Sequence, residues 1–249
     1  RNAVIVDTLK NVVLYGNYGE IKRRKGYAFM TDRAVGVMIE KKDSLFIHAD
    51  TLYATLDTGQ SFKDIFCYHK VKLFRKDLQG MCDSLVYHGK DSTLILYREP
   101  VLWSDKNQLT SDSMHIVIHN ARVDTMVMYN TAFIISKDDT NRFNQVKGRD
   151  MIVYFNSQNE IFKVKVLGNS ETIYYAREDD GSLIGVNKVA SSDMLIFLEK
   201  NALKSITYIS QPTATLYPEK DMAPYDRKLR NFKWLEDQRP MKKGDIFVW

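Results

Sequence analysis

The chain has 249 residues, of which 44% are hydrophobic and 12% aromatic, with a formal net charge of +5. That is enough apolar material for a core and too much for a disordered chain. The mild positive balance is spread along the sequence rather than held in an arm, so no nucleic-acid partner is expected. Five prolines and two cysteines complete the frame: Cys67 and Cys82 cannot make a disulfide scaffold, and one bridge or two free thiols both remain open.

The dominant hydrophobic period is two. Segments such as VDTMVMYNTAFIIS, EIFKVKVLG, SETIYYA and LKSITYIS are rich in Val, Ile, Thr, Tyr and Phe. They are bounded by turn clusters such as DTGQ (57–60), HGKDS (88–92), KDDTN (137–141) and EDDGS (178–182). This is the pattern of short half-buried strands, and it predicts an all-β protein. No apolar run approaches the ~18–20 residues of a membrane helix. The chain opens at Arg1 without the charged and apolar parts of a signal peptide, as a processed chain would, and this leaves a secreted origin open.

An acid followed by an alternating strand recurs at Asp32, Asp50, Asp83, Asp112, Asp150 and Asp193. The separations are 18, 33, 29, 38 and 43 residues, an irregular period that points to a stacked array with loop insertions. Positions two and four after the acid read Leu52 and Ala54, Leu85 and Tyr87, Met114 and Ile116, Ile152 and Tyr154, Leu195 and Phe197. Alternation puts such pairs on one inner face. The Asp32 copy, with Ala34 and Gly36, fits worst. Each acid strand is followed by a strand, a turn with a small residue or proline, and another strand, as in LILYREPVLWSD and ITYISQPTATLYP. One such unit cannot bury its apolar face alone, whereas stacked copies bury a continuous one.

The repeated acids are expected to cap turns rather than catalyse. Catalytic carboxylates must converge on a substrate, and a row of equivalent turn residues does not. A calcium array would need several oxygens per unit and a glycine spacing that the repeats lack. His115 and His119 on one strand would lie about 13 Å apart, too far to share an ion. No metal or catalytic residue is therefore expected. GNYGEIKRRKG (16–26) reads as a basic turn, and Lys22, Arg23, Arg24 and Lys25 are candidates for contacting phosphate. The inner apolar face is either a closed core or an incompletely closed groove. In the second case Leu52, Leu85, Tyr87, Met114, Ile116, Ile118, Ile152, Tyr154, Leu195 and Phe197 are the candidates to touch a lipid.

Asp83-Ser-Leu-Val-Tyr87 and Asp150-Met-Ile-Val-Tyr154, with Gly80 and Gly148 just before the acids, resemble the repeat unit of the OstA family. That family includes the periplasmic lipopolysaccharide-transport protein LptA and the amino-terminal domain of the outer-membrane translocon LptD. The resemblance spans about residues 25–218. It implies a twisted β-jellyroll of stacked antiparallel rungs, open at the ends, over residues 1–218, with 219–249 as a charged, Trp-containing tail or cap. It also implies a non-enzymatic, cofactor-free periplasmic protein that binds lipopolysaccharide or a related lipid. Its partners would be other β-jellyroll transport components, joined by edge-strand addition, with head-to-tail self-association as one form. The tail, the long loops at 137–146 and 177–190 and the poor Asp32 copy depart from the family unit, which leaves open the simple bridge component or a larger relative. Two readings from other classes remain: an extracellular β-solenoid acting on carbohydrate, and a purely structural or adhesive β-repeat.

Overall fold

The computed structural model describes residues 3–39, 43–119, 122–178, 180–199 and 202–249. The expected all-β fold is what these residues form, with 3-10 turns and no α-helix among them. The strands in the first part of the chain are β1 (Ala3–Asp7), β2 (Val12–Gly16), β3 (Tyr18–Lys22), β4 (Tyr27–Met38), β5 (Leu45–Leu56), β6 (Phe62–Arg75), β7 (Leu78–His88), β8 (Thr93–Tyr97) and β9 (Val101–Ser104). They continue as β10 (Asn107–Thr110), β11 (Ser113–His119), β12 (Arg122–Tyr129), β13 (Phe133–Lys137), β14 (Phe143–Lys147) and β15 (Asp150–Phe155). The last are β16 (Ile161–Arg177), β17 (Leu183–Glu199), β18 (Ala202–Ile209) and β19 (Thr213–Tyr217). They divide into two compact units: Arg1–Asp105, Ser113–Asp124 and Asp237–Trp249 form unit 1, and Lys106–Asp112 with Thr125–Glu236 form unit 2.

Within each unit the rungs of the jellyroll pair antiparallel, as β4–β5, β5–β6 and β6–β7 do in unit 1 and β15–β16 and β16–β17 in unit 2. Long strands bend once near their middle. The registers of β4, β5, β6 and β16 with their neighbours shift there, as a bulge requires. Elsewhere the chain breaks into two strands at the same place. Each bend creates two arms whose inner faces meet: in unit 1 Leu52, beyond the bend of β5, lies against Gly36, beyond the bend of β4 on the other arm.

The bends explain the repeated acid. Six of them are consecutive pairs in the left-handed region: Asp32–Arg33, His69–Lys70, Arg98–Glu99, Asn130–Thr131, Gly168–Asn169 and Ser210–Gln211, with φ between 48° and 76°. One of the repeated acids falls between each two successive pairs: Asp50, Asp83, Asp112, Asp150 and Asp193. Left-handed residues other than glycine cost about 1–2 kcal/mol each, so the corner must be held by what surrounds it. The acids hold it. Asn130 N–H donates to Asp150 Oδ1 at 3.0 Å and Gly168 N–H to Asp193 Oδ1 at 2.7 Å. Thr131 Oγ1 donates to Asp112 Oδ1 at 2.7 Å, and Arg98 Nη1 to Asp83 Oδ2 at 3.0 Å. Asp32 is corrected by this geometry. It is itself a left-handed corner residue, so it belongs to the alternate half-unit and was never a copy of the acid strand.

Asp83 and Asp150 titrate below the ordinary carboxylate value. The Ser84 hydroxyl is the main cause at Asp83, helped by His69 and Arg98 against burial. At Asp150 burial pushes the carboxyl up, and the Asn130 N–H and the Arg149 guanidinium together overcome it. A depressed folded-state pKa stabilises above the unfolded value near 3.9 and is lost as pH falls through the folded value. Melting temperature is therefore expected to hold from pH 7 to 5 and to drop below about pH 4. The Asp83→Asn/Asp150→Asn double variant should melt lower at pH 7 and lose less on acidification. Circular dichroism melts across pH measure this, and an unchanged acid slope in the double variant would refute the corner role.

The chain after β19 forms no strand. Residues 219–236 lie on the outer face of one arm of unit 2, where Met222 and Leu229 are buried with Phe133, Ile135, Ile173, Tyr175 and Val186, and Phe232 and Trp234 pack beside them. Residues 237–249 belong to unit 1, where Ile246 is fully buried against Val35 and Val37. There Lys72 Nζ donates to the Gln238 carbonyl at 3.2 Å, and Arg239 Nε donates to Gln79 Oε1 at 2.8 Å.

Candidate functional site

Inward residues of the first arm of unit 1 form a sealed row across six strands: Met30, Leu52, Cys67, Leu85, Leu96 and Met114, none more than 2% exposed. Ile116 is equally buried in the next row. Tyr87 and Ile118 are half-buried at the strand ends, and Tyr87 joins that row through Leu94. These six lipid candidates, Leu52, Leu85, Tyr87, Met114, Ile116 and Ile118, thus split into four that are buried and two that are half-buried at the margin.

Unit 2 differs. The equivalent sealed row runs Met128, Met151, Val166 and Met194. One row further from the corner, a cavity of about 240 Å³ opens between the arms. Ile161, Val164, Ile196 and Ile206 line it from the first arm, and Ile134, Val146 and Thr172 from the second. Leu198 and Leu203 close its first-arm end, while Lys106, Asn107, Ser136, Asp138 and Asn144 supply polar groups on the second arm. An apolar cavity of about 150 Å³ already holds benzene, so this space accommodates a stretch of alkyl chain.

The remaining four lipid candidates are corrected. Ile152, Tyr154, Leu195 and Phe197 are half-buried on the opposite face, and the inward residues are Met151, Val153, Phe155, Met194 and Ile196. Tyr154 packs on Phe162 at 6.3 Å between ring centroids, with the Lys163 ammonium 4.9 Å from its ring centre. The physical reason is phase. In Asp50-Thr-Leu, Asp83-Ser-Leu and Asp112-Ser-Met a small polar residue follows the acid, and the next residue turns inward. In Asp150-Met-Ile and Asp193-Met-Leu that spacer is missing, so Met takes the inward place and every later side chain changes face. The missing Ser or Thr was the available signal. MIVYF and MLIFL are apolar on both faces, so alternation alone sets no phase.

Lys22 stands at the end of β3, and Arg23–Lys25 form an exposed 3-10 turn before β4 in unit 1. Lys22 Nζ is 3.0 Å from Glu20 Oε1, a contact that raises its pKa. None of the four cations lines the unit 2 cavity. The exposed cation that does is Lys106, which no motif marked. Cys67 and Cys82 are free rather than bridged. Burial pushes the Cys67 thiol up to about 12 and the Cys82 thiol higher still, which leaves both protonated and inert at neutral pH.

No protein-family model matches the chain, and no curated protein matches it. Solved structures do resemble it. One is the crystal structure of LptH, the LptA-homologous periplasmic component of the lipopolysaccharide transport device of Pseudomonas aeruginosa, at 10% identity and a TM-score of 0.41. The similarity covers 47% of this chain and 83% of that one.

Proposed function

We propose that this protein is a periplasmic carrier of lipopolysaccharide or a related lipid, holding an acyl chain between the two arms of unit 2 and passing it toward the outer membrane. The observation that carries the reading is the unit 2 cavity, apolar on facing walls and provided with polar groups that include Lys106. Each methylene that leaves water for such a space gains about 0.8 kcal/mol. The lysine suits the phosphate of a lipid head. The resemblance of the acid repeats to the OstA unit supports the same ligand class.

Edge strands fit the handover. Among the described pairings β18 and β19 bond only to β17, and β1 only to β2, so each has one side unpaired. Val6 is 57% and Leu216 55% exposed on them. An apolar, half-satisfied edge is a template for another strand, and a second jellyroll component adding there would lengthen the groove. A purely structural repeat has no need of the unit 2 cavity, and that space favours the carrier reading over it.

A photo-crosslinker at Ile206 should capture lipopolysaccharide during envelope synthesis, and one at the outward Leu195 should not. Equal capture from both positions, or none from Ile206, would sink the proposal.

A further inference from the structure

The second arm of unit 2 carries two glutamines on its outer face, Gln108 on β10 and Gln145 on β14, with Ile135 of β13 between them in register. Both are sealed from solvent, at 0% and 1% exposure. Their carboxamides are used in the same way. Gln145 Nε2 donates to the Arg227 carbonyl at 2.8 Å, and Gln145 Oε1 accepts from Leu229 N–H at 2.8 Å. Gln108 Nε2 donates to the Lys233 carbonyl at 2.7 Å, and Gln108 Oε1 accepts from Leu235 N–H at 2.7 Å. Each side chain therefore reads the C=O of one residue and the N–H of the residue two further on.

That arrangement recognises main chain, not sequence. The sequence enters through sockets: Leu229 and Met222 fill apolar ground, and Arg142 makes a two-pronged ion pair with Glu219 at 2.9 Å through both nitrogens. Among its described residues the segment 219–236 adds no strand to the stack, and most of its surface is exposed or half-buried. A segment held by side-chain clamps and a few anchors, outside the backbone ladder, is held as a bound peptide is held.

We propose that the outer face of this arm is a peptide-binding site and that residues 219–236 are its built-in, separable ligand. The site takes an irregular extended segment with an apolar residue placed two after a clamped carbonyl. Gln145 and Ile173 belong to both the outer face and the wall of the inner cavity, but the β ladder of this arm is complete without the segment, so the fold can stand while the outer ligand leaves and returns.

The test uses the full chain with protease recognition sequences inserted between Tyr217 and Pro218 and between Glu236 and Asp237, so that the exchanged piece carries none of the residues held in unit 1. After cleavage, a fluorescent synthetic peptide of residues 219–236 is added in excess. The expected result is saturable exchange of the label into the cut protein, followed by anisotropy, with the β circular dichroism signal unchanged. Gln108→Leu and Gln145→Leu, each introduced into the cut protein, should weaken peptide binding by roughly tenfold, since each removes a pair of buried hydrogen bonds. Leu229→Asp in the peptide should abolish exchange. Failure of the label to enter over days, loss of the β signal when the cut segment departs, or peptide affinity unmoved by both glutamine changes would each overturn the proposal.

Discussion

Ile196→Trp should strip the protein of bound lipid and leave it folded, whereas Met114→Trp should damage the fold. The two sites are both inward on first-arm strands, and both residues are nearly inaccessible, at 1% exposure or less for Met114 and 4% for Ile196. Their surroundings differ. Ile196 borders about 240 Å³ of empty space, so an indole grows into the cavity without displacing neighbours. Met114 continues the buried row through Leu96 and Leu85 and lines no cavity among those described, so extra atoms there press on buried side chains. Overpacking of that kind costs about 3 kcal/mol, a fall of about 6–12 °C in Tm for a chain of this size. Mass spectrometry of co-purified lipid should show at least a tenfold loss for Ile196→Trp, with melting within 3 °C or so of the parent on the same scale. Full lipid retention in the Ile196 variant would remove the cavity from the mechanism.

The contrast shows how far the sequence could be read. Alternation identified the strands, because each of them buries one face and the period survives in composition. The turn role of the acids was also legible, since no catalyst needs five equivalent carboxylates in a row. What alternation could not supply was phase in strands greasy on both faces. Val153 and Ile152 are chemically the same, and only register with Met126 and Val164 makes the first inward. The left-handed corners are half visible: REP and SQP read as turns between strands, but nothing in them announces that the same conformation pairs with the acid half-unit.

The cavity and the strap formed by residues 219–236 were hidden for a different reason. The cavity depends on how far two arms stand apart, which is a property of side chains many residues away from one another, such as Ile134 and Ile206. The strap depends on buried glutamines, and a glutamine in a strand looks like a solvent-facing residue until something covers it. Gln79 in unit 1 is buried too but is used differently: its amide donates to the Arg75 and Lys76 carbonyls and its oxygen accepts from the Arg239 side chain. A glutamine four residues before the acid, at Gln79 and Gln108, was present in the sequence as a repeated element, with Gln145 displaced by one.

Glycine gives the sharpest test of the packing. A Cβ at Gly148 would fall inside the Val166 side chain, while its other neighbours stay at 3.5 Å or beyond. Gly148→Ala alone should therefore cost about 2 kcal/mol. Val166→Ala alone leaves a small void in a residue with 0% exposure and should cost about 1–2 kcal/mol. Combined, the new methyl occupies the vacated space, so the double variant should be little worse than Val166→Ala, a coupling of about 1–2 kcal/mol. Gly80 offers no such escape. Its Cβ would meet both the Leu102 side chain and the Val101 carbonyl oxygen, the latter at 3.0 Å on the paired strand β9. A side chain can be truncated, but a ladder carbonyl cannot move without breaking its own register. Gly80→Ala should cost about 3 kcal/mol or more, and Leu102→Ala should recover only part of it. Urea denaturation of the four single and two double variants measures both cycles. Full rescue at Gly80 would show that the strands there are free to shift, against the close backbone approach seen at that corner of the stack.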